Sequence, residues 1–107
     1  MREVKEIVKI VVFVPVEAAD KLRKAIGKVG AGKIGNYEFA SFSSRGVGRF
    51  RPLEGAHPAI GEVGKLEEVE EERIEVVCEK ENLEKVLEAI KINHPCEEPA
   101  TDIYPLL

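Results

Sequence analysis

Eight consecutive residues, Ile7-Val8-Lys9-Ile10-Val11-Val12-Phe13-Val14, are apolar on both alternating faces, with one interruption at Lys9. Val8, Ile10, Val12 and Val14 fall on one face, and Ile7, Val11 and Phe13 on the other. A strand of this kind has to be covered on both sides, which makes it a central strand. At 107 residues and 44% hydrophobic composition the chain supports one core. A chain of this length buries roughly 65% of its unfolded surface, so residues 1–107 are expected to form a single domain without metal or disulfide staples.

After Pro15, Ala19, Leu22, Ile26 and Val29 recur at spacings of three and four, while Asp20, Lys21, Arg23 and Lys24 fill the opposite face. This is an amphipathic helix that stops near Gly30. Tyr37–Ser44 and Gly48–Leu53 flank Arg45-Gly46-Val47 and predict a hairpin, and Glu54–Gly64 reads as an irregular loop. Arg73–Glu79 alternates as a strand with one wetter face. A helix capped by Asn82 follows, with Leu83, Val86, Leu87 and Ile90 as its buried stripe, ending at His94-Pro95. Ile103–Leu106 supplies a short last strand. The order predicts an α+β, ferredoxin-like βαββαβ sandwich with an additional strand, an antiparallel sheet carrying two helices on one face. Val11, Phe13 and Val77 leave the other face partly apolar, which predicts an oligomer packed through it.

A net charge of −4 speaks against a general nucleic-acid binder, which needs a surplus of Lys and Arg. Charged residues reach 34%, Gln is absent and Asn occurs only at 36, 82 and 93, a composition that leans toward a heat-adapted (thermophile) source. Cys78 and Cys96 lie in different contexts. The apolar start is broken by Lys9 and lacks a small-residue cleavage site, so a cytoplasmic protein with reduced thiols is expected. No segment is long enough to span a bilayer, and no membrane partner is expected.

Three stretches carry a family resemblance: Gly30-Ala-Gly-Lys-Ile-Gly-Asn-Tyr37; Phe42-Ser-Ser-Arg-Gly-Val-Gly-Arg-Phe-Arg-Pro-Leu-Glu-Gly55, running on to Gly61-Glu-Val-Gly-Lys-Leu66; and His94-Pro-Cys-Glu-Glu-Pro-Ala-Thr-Asp-Ile-Tyr-Pro105. From Ile10 to Leu106 the chain resembles the YqfO domain, which occurs as an insert in longer Nif3-like proteins and also alone. The resemblance implies a fold similar to the CutA and nitrogen-regulatory PII group and, by analogy, a homo-oligomer, with a trimer favoured. His94-Pro95, an acidic residue and Pro99 also look like the CutA closing motif. Two departures stand out. Cys96 occupies a position where the family usually has an aromatic residue, and the flanking halves that hold the dimetal site of the longer proteins are missing from this sequence. A hydrolase or cyclohydrolase activity is therefore not expected from it.

Among the residues themselves, His94, Cys96, Glu97, Glu98 and Asp102 form the densest set of metal-ligand types, and imidazole, thiolate and carboxylate together suit zinc or copper. The competing reading is a helix stop at His94-Pro95 with solvated carboxylates. His57-Pro58, near Glu54 and Glu62, is a second candidate that would meet the first cluster only through the fold. Arg45, Gly46, Gly48, Arg49 and Arg51 form the best candidate anion site, a glycine turn whose backbone N–H groups and guanidinium forks would hold a phosphate or carboxylate. Gly27–Lys33 approaches a phosphate-binding loop, but Ile34 stands where Ser or Thr is required and the segment follows a helix instead of opening one. The acidic run Glu67, Glu68, Glu70, Glu71, Glu72 reads as a solvated edge and Cys78 as a core thiol. No nucleophile–base constellation is legible, so no catalytic residue is assigned.

These readings converge on a non-enzymatic, regulatory, CutA- or PII-like oligomer that binds a small anionic metabolite or a divalent metal ion between subunits. The alternatives are a metal-dependent enzyme built on His94–Asp102 and a protein-interaction partner of the larger Nif3-like proteins.

Overall fold

The two-sided apolar strand lies inside the sheet, as its pattern requires. The computed structural model describes residues 5–107. Its elements are β1 (Ile7–Pro15), α1 (Val16–Lys28), β2 (Phe42–Phe50), β3 (Glu67–Glu79), a 3-10 turn (Lys80–Asn82), α2 (Leu83–Asn93) and β4 (Thr101–Pro105). The strands form one sheet in the order β2-β3-β1-β4, and every neighbouring pair is antiparallel. β1 and β2 run parallel but are separated by β3, so α1 makes a split β-α-β crossover, and α2 makes the second between β3 and β4.

Both crossovers pack on the same face. Val8, Ile10, Val12 and Val14 of β1 and Ile74, Val76 and Cys78 of β3 form one core with Ala19, Leu22 and Ile26 of α1 and Val86, Ala89 and Ile90 of α2. Val29, Leu83 and Leu87 pack half-buried at its margin. Ile10, Leu22 and Ile74 are fully buried, each contributing about 2 kcal/mol of apolar transfer. Arg23 fastens α1 to the sheet: its guanidinium donates to Asp20, to Ser43 and to Glu72, whose carboxylate is buried beneath the helix.

The open face differs from its expected apolar character. Val11 is already fully buried by its own chain, and Arg73 lies over the Phe13 ring, 5.7 Å from its centroid. Glu75 pairs with Lys9 at 3.3 Å and Arg73 at 3.7 Å. A charged ladder therefore covers the centre of this face.

The predicted hairpin through Arg45-Gly46-Val47 does not form. β2 runs straight through those residues, with Gly46 opposite Glu71 and Gly48 opposite Val69. Neither glycine adopts a positive φ, so nothing turns the chain there. The hairpin is instead β2–β3, closed by a loop over residues 51–66, and the described residues contain no additional strand. The acidic run, read as a solvated edge, is the first half of β3: Arg49 and Arg45 stand opposite Glu68 and Glu72, giving the acids basic neighbours across the ladder. β2 and the start of β3 project as an arm, and the molecule measures 57 × 23 × 22 Å. Asn82 makes no side-chain cap, because the 3-10 turn leads directly into α2. Gly32 has φ +83°, and a Cβ there would meet the Ala40 carbonyl oxygen at 2.2 Å, so only glycine fits where the 30–41 loop crosses itself.

Candidate functional site

Where the arm leaves the body, three separate stretches of sequence meet around a cleft of about 700 Å³. One wall is the end of β2 and the following loop: Arg49, Phe50, Arg51, Pro52 and Leu53, continuing through Ile60. The opposite wall is the segment after α2, with His94, Cys96, Glu97, Glu98 and Ala100. Phe13 of β1 and Glu71 of β3 line it from the sheet.

Local hydrogen bonds shape both walls. Pro52 is buried, its carbonyl accepts from Gly64 at 2.8 Å, and the Ala56 amide closes a turn on Leu53 at 3.0 Å. The closing segment is gripped at both ends by a single residue. The Phe13 amide donates to the Ala100 carbonyl at 3.1 Å, and the Phe13 carbonyl accepts from His94 at 2.7 Å. The walls are joined where the His57 amide donates to Glu97 Oε1 at 2.9 Å.

His94 does not present a free ring nitrogen to the cleft. The Cys96 amide donates to Nδ1 at 3.0 Å, so Nδ1 is the acceptor, and Nε2 carries the hydrogen given to Phe13. The imidazole is a buried pin between the end of α2 and β1. Cys96 is half-buried, and its thiol is pushed up first by burial and then by the charge of Glu71. Glu71 is itself raised by burial. Its carboxylate lies over Gly48, where an added Cβ would stand 1.6 Å from Oε1.

The structure thus brings together much of what the sequence offered separately. Arg49, Arg51, His94, Cys96, Glu97 and Glu98 all line one cleft, and the loop carrying His57 closes against it through its backbone. The His57 imidazole is not among the lining groups, nor are Arg45, Gly46 and Gly48, which sit farther along the arm. Asp102 is in β4 opposite Val11. Gly46 and Gly48, expected to form a backbone cradle, are strand residues, and an extended strand points its successive N–H groups in opposite directions. Arg49 carries an exposed ion pair with Glu68 at 3.2 Å, and Arg51 has no ionic or hydrogen-bonding partner among the described residues. Among those residues no three of the His, Cys, Asp and Glu side chains gather as a metal would require. For zinc or copper, His94 would first have to surrender one of its two hydrogen bonds.

Sequence reasoning missed Phe13, Phe50 and Glu71 as cleft residues. Phe13 was visible only as part of the core strand. Glu71 was hidden in the acidic run, although the alternation that sets Arg73 on the open face places Glu71 there too.

No protein-family model matches the chain. It is 50% identical over 98 residues to proteins called GTP cyclohydrolase 1 type 2 homolog from Halalkalibacterium halodurans and Bacillus subtilis, covering 92% of this chain and 26% of each relative. The chain therefore spans about a quarter of the length of the curated relatives it matches. A Bacillus cereus protein related to NIF3 superposes with a TM-score of 0.85 at 48% identity, over 98% of this chain and 27% of its own. CutA from Archaeoglobus fulgidus superposes over 94% of this chain and 83% of its own, with a TM-score of 0.68 at 18% identity. Bacillus subtilis GlnK does so over 95% of this chain and 84% of its own, with a TM-score of 0.63 at 17% identity. The chain is accordingly similar in sequence to one segment of NIF3-related proteins, and its fold is the ferredoxin-like fold shared with CutA and GlnK.

Proposed function

We propose that this chain is a non-enzymatic, regulatory binding module that takes a small anionic molecule in the cleft at the root of the arm and works as a homo-oligomer. The observation that carries the proposal is the convergence of Arg51, the apolar groups Phe13, Phe50 and Pro52, and the closing segment around one cavity of about 700 Å³. A cavity of that size fits a metabolite, and the mixture of apolar walls with a few charged groups is what small-molecule sites have in common. Arg51 supplies a guanidinium that no protein group occupies among the described residues.

Self-association is supported by the arm. β2 is an edge strand of nine residues without Pro or Lys. Phe42 is 66% exposed, Leu53 67% and Leu66 80%. Long, uncovered edges flanked by exposed apolar groups pair with other chains, and a second copy is the nearest source of one. A trimer is the expected closed form, by analogy with the fold. The metal reading at His94, Cys96, Glu97, Glu98 and His57 is the weaker one, because the His94 nitrogens are engaged within the chain. A metal-dependent reaction or a partnership with larger NIF3-related proteins has no such observation behind it.

The test is calorimetric titration of the protein with phenyl phosphate, an anion on a flat apolar body. Binding that weakens at least tenfold in Arg51→Glu supports the cleft. Absence of binding, or equal affinity in the variant, overturns it. Native mass spectrometry of the same samples reports subunit number, and a monomer at micromolar concentration overturns the oligomer.

A further inference from the structure

Glu71 lines the cleft beside His94 and Cys96, its electrostatic neighbours, and no hydrogen bond or ion pair among the described residues engages it. On the same face of β3, Glu75 is paired with Lys9 and Arg73, and Glu79 with Lys5. Across the sheet, Glu72 is paired with Arg23, and at the arm Glu68 is paired with Arg49. Glu71 is half-buried, lines the cleft and has neither an ion pair nor a hydrogen-bond partner among the described residues.

Room for its carboxylate is made by Gly48. The side chain leans diagonally over the neighbouring strand, and a Cβ at position 48 would stand 1.6 Å from Oε1 and 2.5 Å from the carboxyl carbon, so a side chain there would displace the carboxylate from its place in the cleft. A glycine within a strand forgoes side-chain packing and backbone restriction. The φ of Gly48 is ordinary, so its backbone conformation does not require glycine. The space that glycine leaves open at 48 is where the Glu71 carboxylate lies. A half-buried, unpaired acid in a mostly apolar cavity is unfavourable unless something else completes it.

Building on the cleft proposed above, we infer that Glu71 recognises a cationic or N–H donor group of the ligand, which is therefore dipolar: an anionic group at Arg51, an apolar body against Phe13 and Phe50, and an amine-type donor at Glu71. Opposed charges on the cavity walls discriminate in both directions. A simple dianion gains Arg51 but meets the Glu71 carboxylate, and a simple amine gains Glu71 but meets Arg51. A molecule carrying both charges satisfies Arg51 and Glu71 together. The half-buried position makes that contact selective, since charge-assisted hydrogen bonds strengthen as water is excluded.

The probes are phenyl phosphate and 4-(aminomethyl)phenyl phosphate, identical except for the ammonium group, titrated into wild type, Glu71→Gln and Arg51→Glu. The expected result is at least tenfold tighter binding of the aminomethyl compound to wild type, an advantage that falls below threefold in Glu71→Gln. That variant binds phenyl phosphate at least as well as wild type, because a repelling charge is gone. Arg51→Glu weakens both compounds. If phenyl phosphate binds through Arg51 but the ammonium adds nothing, or Glu71→Gln retains the full advantage, the inference falls and the anion cleft stands. If neither compound binds wild type, both fall. A change in subunit number on Glu71→Gln would assign the carboxylate to a contact between copies and likewise overturn the inference.

Discussion

The backbone of Phe13 is held on both sides by the segment that closes the fold: its carbonyl accepts the His94 Nε2 hydrogen at 2.7 Å, and its amide donates to Ala100. The same residue lends its ring to the cleft. The wall containing Cys96, Glu97 and Glu98 is therefore fixed to the central strand, and the site inherits the rigidity of the core.

Removing that pin should be costly. In His94→Ala the Phe13 carbonyl and the Cys96 amide both lose a partner, and a lost buried hydrogen bond costs about 1–3 kcal/mol. Urea unfolding should give a loss of about 2 kcal/mol, with His94→Gln recovering part of it. Zinc affinity should not change, since the imidazole is committed to structure.

Arg23 should matter far more than its place on a helix surface suggests. It reaches Glu72, which is buried, and stripping one partner from a buried ion pair costs about 3 kcal/mol. The exposed Glu62–Lys65 pair provides the contrast. Lys65→Ala should shift stability by less than about 0.5 kcal/mol in the same assay.

Stability should respond to Glu71 in a pH-dependent way. Burial raises its carboxyl in the folded chain, so folding favours the protonated form. That contribution is complete below the ordinary carboxylate range and is lost as pH rises through the folded value. Glu71→Gln should therefore raise the urea midpoint relative to wild type at pH 7 and leave it unchanged at pH 3. Asp20, lowered by its hydrogen bond to Arg23, acts in the opposite sense and is common to both proteins, so it cancels in the comparison.

Cys96 should be a slow nucleophile. Burial and the neighbouring Glu71 charge both raise its thiol, so little thiolate is present at neutral pH. Iodoacetamide should label it more slowly than a free cysteine, and Glu71→Gln should speed the reaction. Equal rates in the two proteins would contradict the electrostatic contact.

The glycines of β2 separate internal from external demands. An added Cβ at Gly46 meets nothing within 4 Å, so Gly46→Ala should be neutral or stabilise by about 0.5 kcal/mol in an isolated chain. Loss of assembly in native mass spectrometry despite that stability would locate a neighbouring copy on β2. At Gly32 the backbone itself blocks a side chain, and Gly32→Ala should cost about 3 kcal/mol.

Much of the fold was legible because it depends on local periodicity. The two-sided run from Ile7 to Val14, the stripe Ala19-Leu22-Ile26 and the stripe Val86-Ile90 each state their own element and buried face, and crossover handedness places the helices together. Where local signals were ambiguous, tertiary pairing decided. Arg45-Gly46-Val47 carries turn chemistry, yet the ladder with Glu70, Glu71 and Glu72 holds it extended. The acidic run looked like solvent-facing sequence until Arg23, Arg45 and Arg49 were brought alongside it.

The sequence by itself determined the class of fold, the core strand and both helices, because burial patterns repeat within a few residues and need no knowledge of distant partners. Only the tertiary structure decided the site. Phe13, Arg51, Glu71 and Cys96 are far apart in the chain, and their meeting depends on strand register and on the path of two irregular loops. Register leaves no local trace in sequence: the Glu71 carboxylate above Gly48 exists because β2 and β3 align as they do, and neither residue alone announces the other.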